Sequence, residues 1–358
     1  MLEHVKKLKY GWTTGACATA AAKAAYLALK RGFFSDRVTI TLPQGKRVSF
    51  MIFNHKILDR HCAIASVIKD AGDDPDVTHG AEIRVRITIL SIDRGIVFKA
   101  GKGVGTITKP GLQLPVGQPA INPVPRQMIR YALNEVFPSP DVEVEISVVN
   151  GEELAKKTMN PKLGIMGGLS ILGTTGIVVP FSCAAWIASI HRGIDVARAA
   201  NLTHLIASVG NVSEETAKKI YTLPESAFIE MGDFVGGVLK YLKTHPVQWL
   251  TLAGGVAKFT KLAQGHLDLH SGRSQVDFAQ LAEWVAELGG EDSFVEKVRL
   301  ANTALEVFRN CHVKRLPLAD FIAEKALAVV KETLDPVIFK IEILMIDRKG
   351  NCLGRAFA

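Results

Sequence analysis

The chain is poor in cysteine and in aromatic residues, and each scarcity excludes a class of structure. Its five cysteines are scattered and odd in number, and no Cys-x-x-Cys pair occurs. Neither a disulfide framework nor a zinc site is therefore indicated. Aromatic residues make up 7% of the sequence, and no basic run interleaved with aromatics and no finger, RRM or KH signature is present. We expect no nucleic-acid partner.

The sequence also lacks the features that place a protein in or across a membrane. The amino terminus has neither an apolar h-region nor a cleavage site, so we expect a cytoplasmic protein. No residue between Lys162 and His191 carries a formal charge, and this stretch is long enough to span a bilayer. However, it contains several glycines and Pro180, which suit a buried loop better than a lipid-facing helix. We expect no membrane partner.

What the chain does have is length and positive charge. With 358 residues and 48% hydrophobic residues, it can bury an ample core and form two domains. An excess of 43 basic over 35 acidic residues gives a net charge of +8. This charge favours an anionic partner, and among nucleic acid, an acidic membrane and a small polyanion we favour the polyanion. A homo-oligomer is compatible with the sequence.

The first half of the chain has the pattern of an α+β domain. Residues 11–31 include an alanine-rich helix, and a second helix is predicted at 125–136. Apolar and β-branched segments predict the strands of a mostly antiparallel sheet at 38–42, 48–53, 83–90, 96–99 and 142–149.

From about residue 183 the pattern changes to alternating helices and strands. Predicted strands at 204–209, 227–231 and 248–253 make a βαβαβ unit, followed by helices near 276–288 and 293–309. We expect the last strand pattern, 337–346, to return to the first sheet. The predicted fold is an α+β domain of residues 1–180 plus 336–358, interrupted by an α/β Rossmann-like domain, 181–335, with a helical C-terminal part.

A short acidic segment, Lys69–Gly80, stands out in the first half. Asp70, Asp73, Asp74 and Asp76 lie within seven positions, with His79 after them. Crowded carboxylates raise one another's pKa, and an imidazole titrates near neutrality. The segment is therefore a candidate for acid/base or cation chemistry. A solvated acidic turn between strands explains the same residues, and both interpretations remain open.

Three other stretches are candidates for binding anions. Thr13-Thr14-Gly15 begins a helix, where backbone N–H groups are exposed. The glycine-rich run that ends at Lys109 could form a backbone nest with that lysine as countercharge. A proline-rich loop presents Asn122 and Arg126, which suits a carboxylate clamp. A simple helix cap and a surface arginine are the structural alternatives.

In the second half, each predicted strand ends in a glycine turn. Ligands of open parallel sheets bind beyond the carboxyl ends of the strands, and an acidic residue there can meet ribose hydroxyls. Ordinary turns that connect strands to helices would also contain glycine. The candidate cofactor-binding residues are Gly210, Asn211, Glu230, Asp233, Gly254 and Gly255.

Together these blocks resemble the cobalt-precorrin-5B C1-methyltransferase (CbiD) family of anaerobic cobalamin biosynthesis. The resemblance covers most of the chain and is densest from Gly11 to Pro180. It rests on segments in the same order: Thr13–Ala18 with Lys23, Lys69–Gly80, Gly103–Leu112, Pro119–Arg126, Gly151–Ala155 with Asn160-Pro161, Gly167–Val178, His270-Ser271 and Asp277. Ala100, Lys102 and the apolar segment Val179–Trp186 depart from the family pattern.

The resemblance implies an S-adenosylmethionine-dependent enzyme that methylates C1 of cobalt-precorrin-5B to give cobalt-precorrin-6A. The cobalt belongs to this tetrapyrrole substrate, so no protein-bound metal is expected. Substrate carboxylates would match the net charge of +8. Methyl transfer to a ring carbon requires in-line approach and exclusion of water more than a covalent catalyst.

These implications assign roles to the candidate residues. Asp73, Asp76 and His79 would be catalytic, because they could handle a substrate proton or orient a water molecule. The predicted substrate-binding residues are Thr13, Thr14, Lys23, Lys109, Asn122, Arg126, Thr174, Thr175, His270 and Ser271. We expect the macrocycle to lie between the first-domain loops and the cofactor crevice. A non-catalytic corrinoid carrier or chaperone is the alternative; phosphoryl transfer is disfavoured because no Gly-x-x-x-x-Gly-Lys-Ser/Thr loop is present.

Overall fold

The computed structural model describes residues 8–335 and 340–358, which form two compact units, each with a hydrophobic core of its own. The units comprise Met1–Cys183 and Ala184–Ala358. In chain order the first contains β1 (Gly11–Trp12), α1 (Thr14–Arg31), β2 (Arg37–Thr41), β3 (Arg47–Met51), β4 (His55–Ile57), β5 (Cys62–Ile68), β6 (Glu82–Ile89), β7 (Ile96–Ala100), β8 (Gly103–Val104), β9 (Thr106–Ile107), α2 (Pro123–Asn134), β10 (Val142–Val148), α3 (Gly151–Ala155), β11 (Ile165–Met166), β12 (Gly168–Leu169) and β13 (Ile177–Val178).

A five-stranded sheet forms the centre of the first unit, with strand order β4-β5-β6-β10-β7. All its pairings are antiparallel except the parallel pairing of β10 with the edge strand β7. Helix α1 packs on β5 and β6. Thirteen of its 18 residues are buried, and because most of them are alanines the helix backbone can approach the sheet closely. The mostly antiparallel α+β arrangement predicted for this half is therefore present.

Short strand pairs hold the glycine-rich segments of the first unit together. Strand β8 pairs in parallel with β12, which places Gly103 opposite Gly168. Gly103 has a φ of +79°, and a Cβ there would lie 2.1 Å from the carbonyl oxygen of Val148. Only glycine therefore fits at this close approach of two backbones.

The second unit begins within helix α4 (Cys183–Ala199). It continues with β14 (His204–Ser208), α5 (Asn211–Ile220), β15 (Phe228–Glu230), α6 (Val235–Leu242), β16 (Trp249–Gly255), α7 (Val256–Ala263), α8 (Phe278–Glu287), α9 (Asp292–Arg299), α10 (Ala304–Val313), α11 (Leu318–Leu334), β17 (Lys340–Ile346) and β18 (Cys352–Phe357). Its sheet has the order β15-β14-β16-β17-β18. The first four strands are parallel, and β18 is antiparallel to β17.

The prediction that the last strand returns to the first sheet is wrong. Strand β17 pairs with β16 over seven residues, so residues 340–358 belong to the second unit and this unit does not interrupt the first. Six of the seven residues of β17 are buried, as expected for a strand covered on both faces of a parallel sheet. The remainder of the predicted 336–358 segment, residues 336–339, lies outside the described residues.

The helical part of the second unit also differs from its prediction. The single helix expected at 293–309 is two helices, α9 and α10, because the chain turns after Arg299 and Thr303 caps α10 through its side chain. Helix α11 was not predicted. Within the two described ranges of the chain, no helix is both long enough and apolar enough to cross a membrane.

Candidate functional site

Three of the sequence blocks meet at the start of helix α1. The backbone N–H of Trp12 donates to the carbonyl of Asp70 at 2.7 Å, which ties the acidic segment to β1. The N–H of Thr13 donates to the carbonyl of Gly176 at 3.1 Å. The structure therefore brings the acidic segment, the start of α1 and the Leu172–Gly176 loop into one contiguous region of the first unit.

The threonines at this helix start bind the protein's own backbone. The Oγ1 of Thr13 accepts the N–H of Ala16 at 3.1 Å, and the N–H of Gly15 donates to the carbonyl of Leu172 at 2.8 Å. The Oγ1 of Thr14 accepts the N–H of Leu172 at 3.0 Å and lies 3.2 Å from its carbonyl. The N–H groups of Gly15 and Ala16, which a bound anion would use, thus already have partners.

The second threonine pair lies on the loop that contacts this helix start. The Oγ1 of Thr175 accepts the N–H of Ile177 at 3.2 Å and so shapes the turn. Thr174 is exposed, and no side-chain hydrogen bond to it is found among the described residues. Of the predicted threonines, Thr174 is the one whose hydroxyl can meet a ligand without breaking a protein contact.

Asp76 holds the acidic segment in shape. Its Oδ2 lies 2.6 Å from the ammonium of Lys69, whose side chain is 1% exposed, and its Oδ1 accepts from Thr78 N–H and Oγ1 at 2.7 and 2.6 Å. Burial acts to raise the pKa of Asp76, but Lys69 and these hydrogen bonds outweigh it, so the pKa lies below its usual value. Asp76 is therefore an ionised partner of a buried cation.

Asp73 and His79, the other predicted catalytic residues, are more accessible. The Oδ2 of Asp73 accepts the N–H of Lys9 at 2.7 Å, and its side chain is exposed. The Nδ1 of His79 accepts the N–H of Ala71 at 3.1 Å. This contact makes the neutral imidazole a donor at Nε2, the nitrogen on the opposite edge of an exposed ring. Among the described residues no acceptor is found for this Nε2–H, which is therefore available to a ligand.

The predicted basic residues of the first unit differ in their freedom to bind a substrate. Lys23 is engaged, because its ammonium lies 2.5 Å from Glu135 and donates to a backbone carbonyl. Arg126 donates to the carbonyls of Ile121 and Pro119, at 2.7 and 3.2 Å. Lys109 is half-buried and has no ion pair among the described residues. Of the two predicted lysines, Lys109 is therefore the one whose ammonium has no ion-pair partner within the described residues.

Arg126 lies in helix α2, one turn before a second arginine, and not in the predicted loop. The guanidinium of Arg126 lies 5.3 Å from the ring centre of Phe98, and that of Arg130 lies 5.0 Å from the same ring. Burial and the neighbouring Arg130 both lower the pKa of Arg126. Asn122 precedes α2 without capping it through its side chain, so its amide remains available.

In the second unit, all six predicted cofactor residues lie at one edge of the sheet. In the strand register Ser208 is opposite Glu230, and Gly210 follows as the N-cap of α5 with Asn211 as the first helical residue. Gly254 and Gly255 end β16, and Gly255 is the N-cap of α7. This edge holds the carboxyl ends of the parallel strands, as predicted. We call it the crevice, defined by Ser208–Asn211, Glu230–Asp233 and Gly254–Lys258.

Two polar groups of the crevice were not predicted from the sequence. Lys258, in the first turn of α7, places its Nζ 3.0 Å from the Oδ1 of Asp233 and 3.4 Å from the carbonyl of Val209. Ser208 ends β14, and its Oγ is buried. Neither this Oγ nor the buried Oδ1 of Asp233 has a hydrogen-bond partner in the described part of the chain. Two signals were available in the sequence: Ser208 is a polar residue at the end of one buried strand, and Lys258 is a lysine shortly after the end of another.

The glycines of the crevice have different functions. A Cβ on Gly254 would lie 2.2 Å from the ring of Phe259, so this glycine is required for packing. A Cβ on Gly210 would meet no atom within 4 Å, so the space beside this residue is open. Open space at Gly210 agrees with close approach of a ligand, whereas Gly254 supports the sheet edge from inside.

The predicted residues His270 and Ser271 lie on a loop that contacts the crevice. The N–H of Leu269 donates to the carbonyl of Asp233 at 2.8 Å, and the buried Lys261 donates to the carbonyls of Leu269 and Ser274. His270 and Ser271 are both exposed. No cluster of His, Cys, Asp or Glu side chains suited to a metal ion occurs within residues 8–335 and 340–358.

Comparison with known proteins gives matches over almost the whole chain. The family described as CbiD matches residues 1–180, and the family described as CbiD, C-terminal domain, matches residues 268–357. Curated proteins named cobalt-precorrin-5B C(1)-methyltransferase match from a Bradyrhizobium species, at 52% identity over 98% of this chain and 94% of the relative, and from Methylorubrum extorquens, at 53% identity over 97% and 96%.

A solved structure of a similar protein is also known. It is the crystal structure of a cobalamin biosynthesis protein (cbiD) from Archaeoglobus fulgidus, with 30% sequence identity to this chain. The match covers 70% of this chain and 77% of that one, with a TM-score of 0.39.

Proposed function

Because the chain belongs to the CbiD family, we propose that it methylates C1 of cobalt-precorrin-5B as an enzyme of cobalamin biosynthesis. The observation that carries this proposal is the 52% identity to a curated relative of that name over 98% of the chain. The match is not confined to one unit, so it includes both the loops at the start of α1 and the crevice of the second unit.

We assign the methyl donor, S-adenosylmethionine, to the crevice of the second unit, which we interpret as Rossmann-like. The fit is supported by the buried Ser208 Oγ, which has no hydrogen-bond partner among the described residues, by the Oδ1 of Asp233, whose only close contact there is the ion pair with Lys258, and by the open space at Gly210. Glu230 is the crevice carboxylate placed to accept ribose hydroxyls. Bound here, the donor supplies an electrophilic sulfonium methyl group to the C1 carbon of the ring.

The residues of the first unit bind the substrate and handle its proton. Lys109, Arg126 and Arg130 attract the acetate and propionate carboxylates of the macrocycle, and Asn122 and Thr174 add neutral hydrogen-bonding groups. His79 handles a substrate proton at Nε2 in the tautomer that carries its hydrogen on Nδ1, which requires the ring to release its contact with the N–H of Ala71. Asp76 acts as a positioning residue, because its ion pair with buried Lys69 fixes the segment that carries His79.

Turnover with a labelled donor tests the proposed function. Purified protein is incubated with cobalt-precorrin-5B and S-adenosylmethionine carrying a ¹³C-methyl group, and the product is examined by mass spectrometry and NMR. We expect one labelled methyl group at C1 and one equivalent of S-adenosylhomocysteine. Tight binding of the macrocycle without methyl transfer would instead identify a corrinoid carrier.

A further inference from the structure

The ion pair between Lys258 and Asp233 lies in the crevice and is incompletely hydrogen-bonded. The two side chains are 35% and 24% exposed, so a ligand can reach them. Their charged atoms are 3.0 Å apart, yet the buried Oδ1 of Asp233 accepts no hydrogen bond. Because Oδ1 is buried, the contact gives way only to a ligand that provides both charged groups with a new partner.

The charges around the pair suit a ligand that carries both signs. Lys261 lies close enough to raise the local positive potential, although its ammonium already binds two backbone carbonyls. Glu230 supplies a second carboxylate at the end of the neighbouring strand. Two cations and two anions at one sheet edge attract neither a simple anion nor a simple cation strongly. A zwitterion can satisfy Lys258 and Asp233 at the same time.

We propose that Lys258 and Asp233 bind the α-amino-acid end of the methyl donor. Lys258 pairs with the donor's carboxylate, and Asp233 pairs with the donor's ammonium. The nucleoside end then lies toward Glu230 and Ser208, which are in register on neighbouring strands and therefore on one face of the sheet. This inference rests on the proposed function, because it assigns the two ends of the donor within the same crevice.

Two ligands that differ only at the amino-acid end test the assignment. S-Adenosylhomocysteine carries that end, whereas 5′-methylthioadenosine lacks it. We would titrate both into the full-length protein by calorimetry, with and without a corrinoid analogue. Lys258→Met is expected to weaken S-adenosylhomocysteine binding about 10- to 100-fold, as for loss of a charged hydrogen bond, and to change 5′-methylthioadenosine binding by less than about 2-fold.

Three further variants make the test specific. Lys258→Arg retains the charge and is expected to restore most of the affinity for S-adenosylhomocysteine. Glu230→Gln is expected to weaken both ligands, because both contain ribose. Lys240→Met, at an exposed lysine of α6, is the matched control and should change neither.

The possible outcomes separate the inference from the proposed function. Equal losses for both ligands with Lys258→Met, or no loss for either, would overturn the assignment while leaving the crevice as a donor site. Failure of the unsubstituted protein to bind either ligand under both conditions would overturn the donor assignment itself, and the inference with it.

Discussion

At the scale of single residues, the four aspartates of the acidic segment share a structural task. The side chains of Asp70, Asp73, Asp74 and Asp76 accept a backbone N–H from Gly72, Lys9, Phe181 and Thr78 respectively. Carboxylates in such turns act as backbone acceptors, which the sequence pattern alone cannot distinguish from catalytic acids. These contacts support the structural interpretation of the four carboxylates, and the catalytic interpretation of the segment stays a proposal.

His79→Ala is expected to slow methyl transfer by about 10²- to 10⁴-fold, the usual contribution of a general acid or base. The substitution also removes the acceptor of the N–H of buried Ala71, so the free energy of unfolding should fall by about 1–3 kcal/mol. Steady-state turnover between pH 6 and 9 measures the effect, and His61→Ala, at another exposed histidine of the same unit, serves as the control. A loss below tenfold would remove His79 from proton transfer.

His204 makes the stability of the second unit sensitive to pH. Its Nε2 lies 2.8 Å from the Oγ1 of Thr251, which itself donates to the buried Glu342, so Nε2 must carry the proton donated to Thr251. Burial lowers the pKa of His204 from 6.5 to about 4, with Glu342 opposing the shift. The folded state thus requires a neutral ring, and the contribution of His204 to the free energy of unfolding is complete above pH 6.5.

As the pH falls from 6.5 to about 4, the unfolded chain binds a proton that the folded chain does not. The stability advantage of the natural protein over His204→Gln should therefore shrink by up to about 3 kcal/mol across this range. Urea denaturation of both proteins at several pH values measures this difference. A difference independent of pH would show that His204 has an ordinary pKa.

At the scale of elements, the glycine-rich strands of the first unit depend on close backbone approach. Gly103→Ala is expected to destabilise the protein by about 1–3 kcal/mol more than Gly117→Ala, because only the first places a Cβ against a carbonyl oxygen. Both glycines have a φ near +80°, so the backbone strain of the two substitutions is matched. Equal losses in denaturant titrations would contradict the packing explanation.

Local patterns predicted most of these elements, whereas long-range pairings could not be predicted. Strands β2, β3, β6 and β10 lie close to their predicted positions, because alternating β-branched residues specify strands locally. Strand β5 was not among the predicted strands, since its alanines have low strand propensity and its pairing with β6 supports it. No pattern within β17 specifies which of two sheets it joins.

In the candidate site, too, local patterns predicted some residues, and residues that depend on long-range contacts were missed. The candidate cofactor residues were correctly predicted to lie at the carboxyl ends of the parallel strands, because strand ends and glycine turns are visible in the sequence, while their binding role stays a prediction. Lys258 was missed because its contact with Asp233 joins two different strand–helix connections. The hydrogen bonds of Thr14 were missed because their partner, Leu172, lies 158 residues further along the chain. The bond from Ala16 to Thr13 is the simple helix cap that the sequence had offered as an alternative.

At the scale of the whole molecule, we expect removal of the last two strands to destabilise the second unit and to leave the first unit folded. Deletion of everything after Asp335 removes β17 and β18, which leaves β16 unpaired along one edge. We expect hydrogen exchange to show lost protection in β14 and β16 and retained protection in β5, β6 and β10. Lost protection in the first sheet would favour the original prediction that the last strand belongs there.

The position of β17 also affects how the protein forms during synthesis. The first unit is complete when residue 183 has been added, whereas the second sheet lacks an internal strand until residue 346 has been made. Strand β16 is complete at residue 255, about 90 residues before the end of β17, so at elongation rates of roughly 5–20 residues per second its edge stays unpaired for on the order of 5–20 s. The nascent second unit should therefore depend on chaperones, while the first folds during translation.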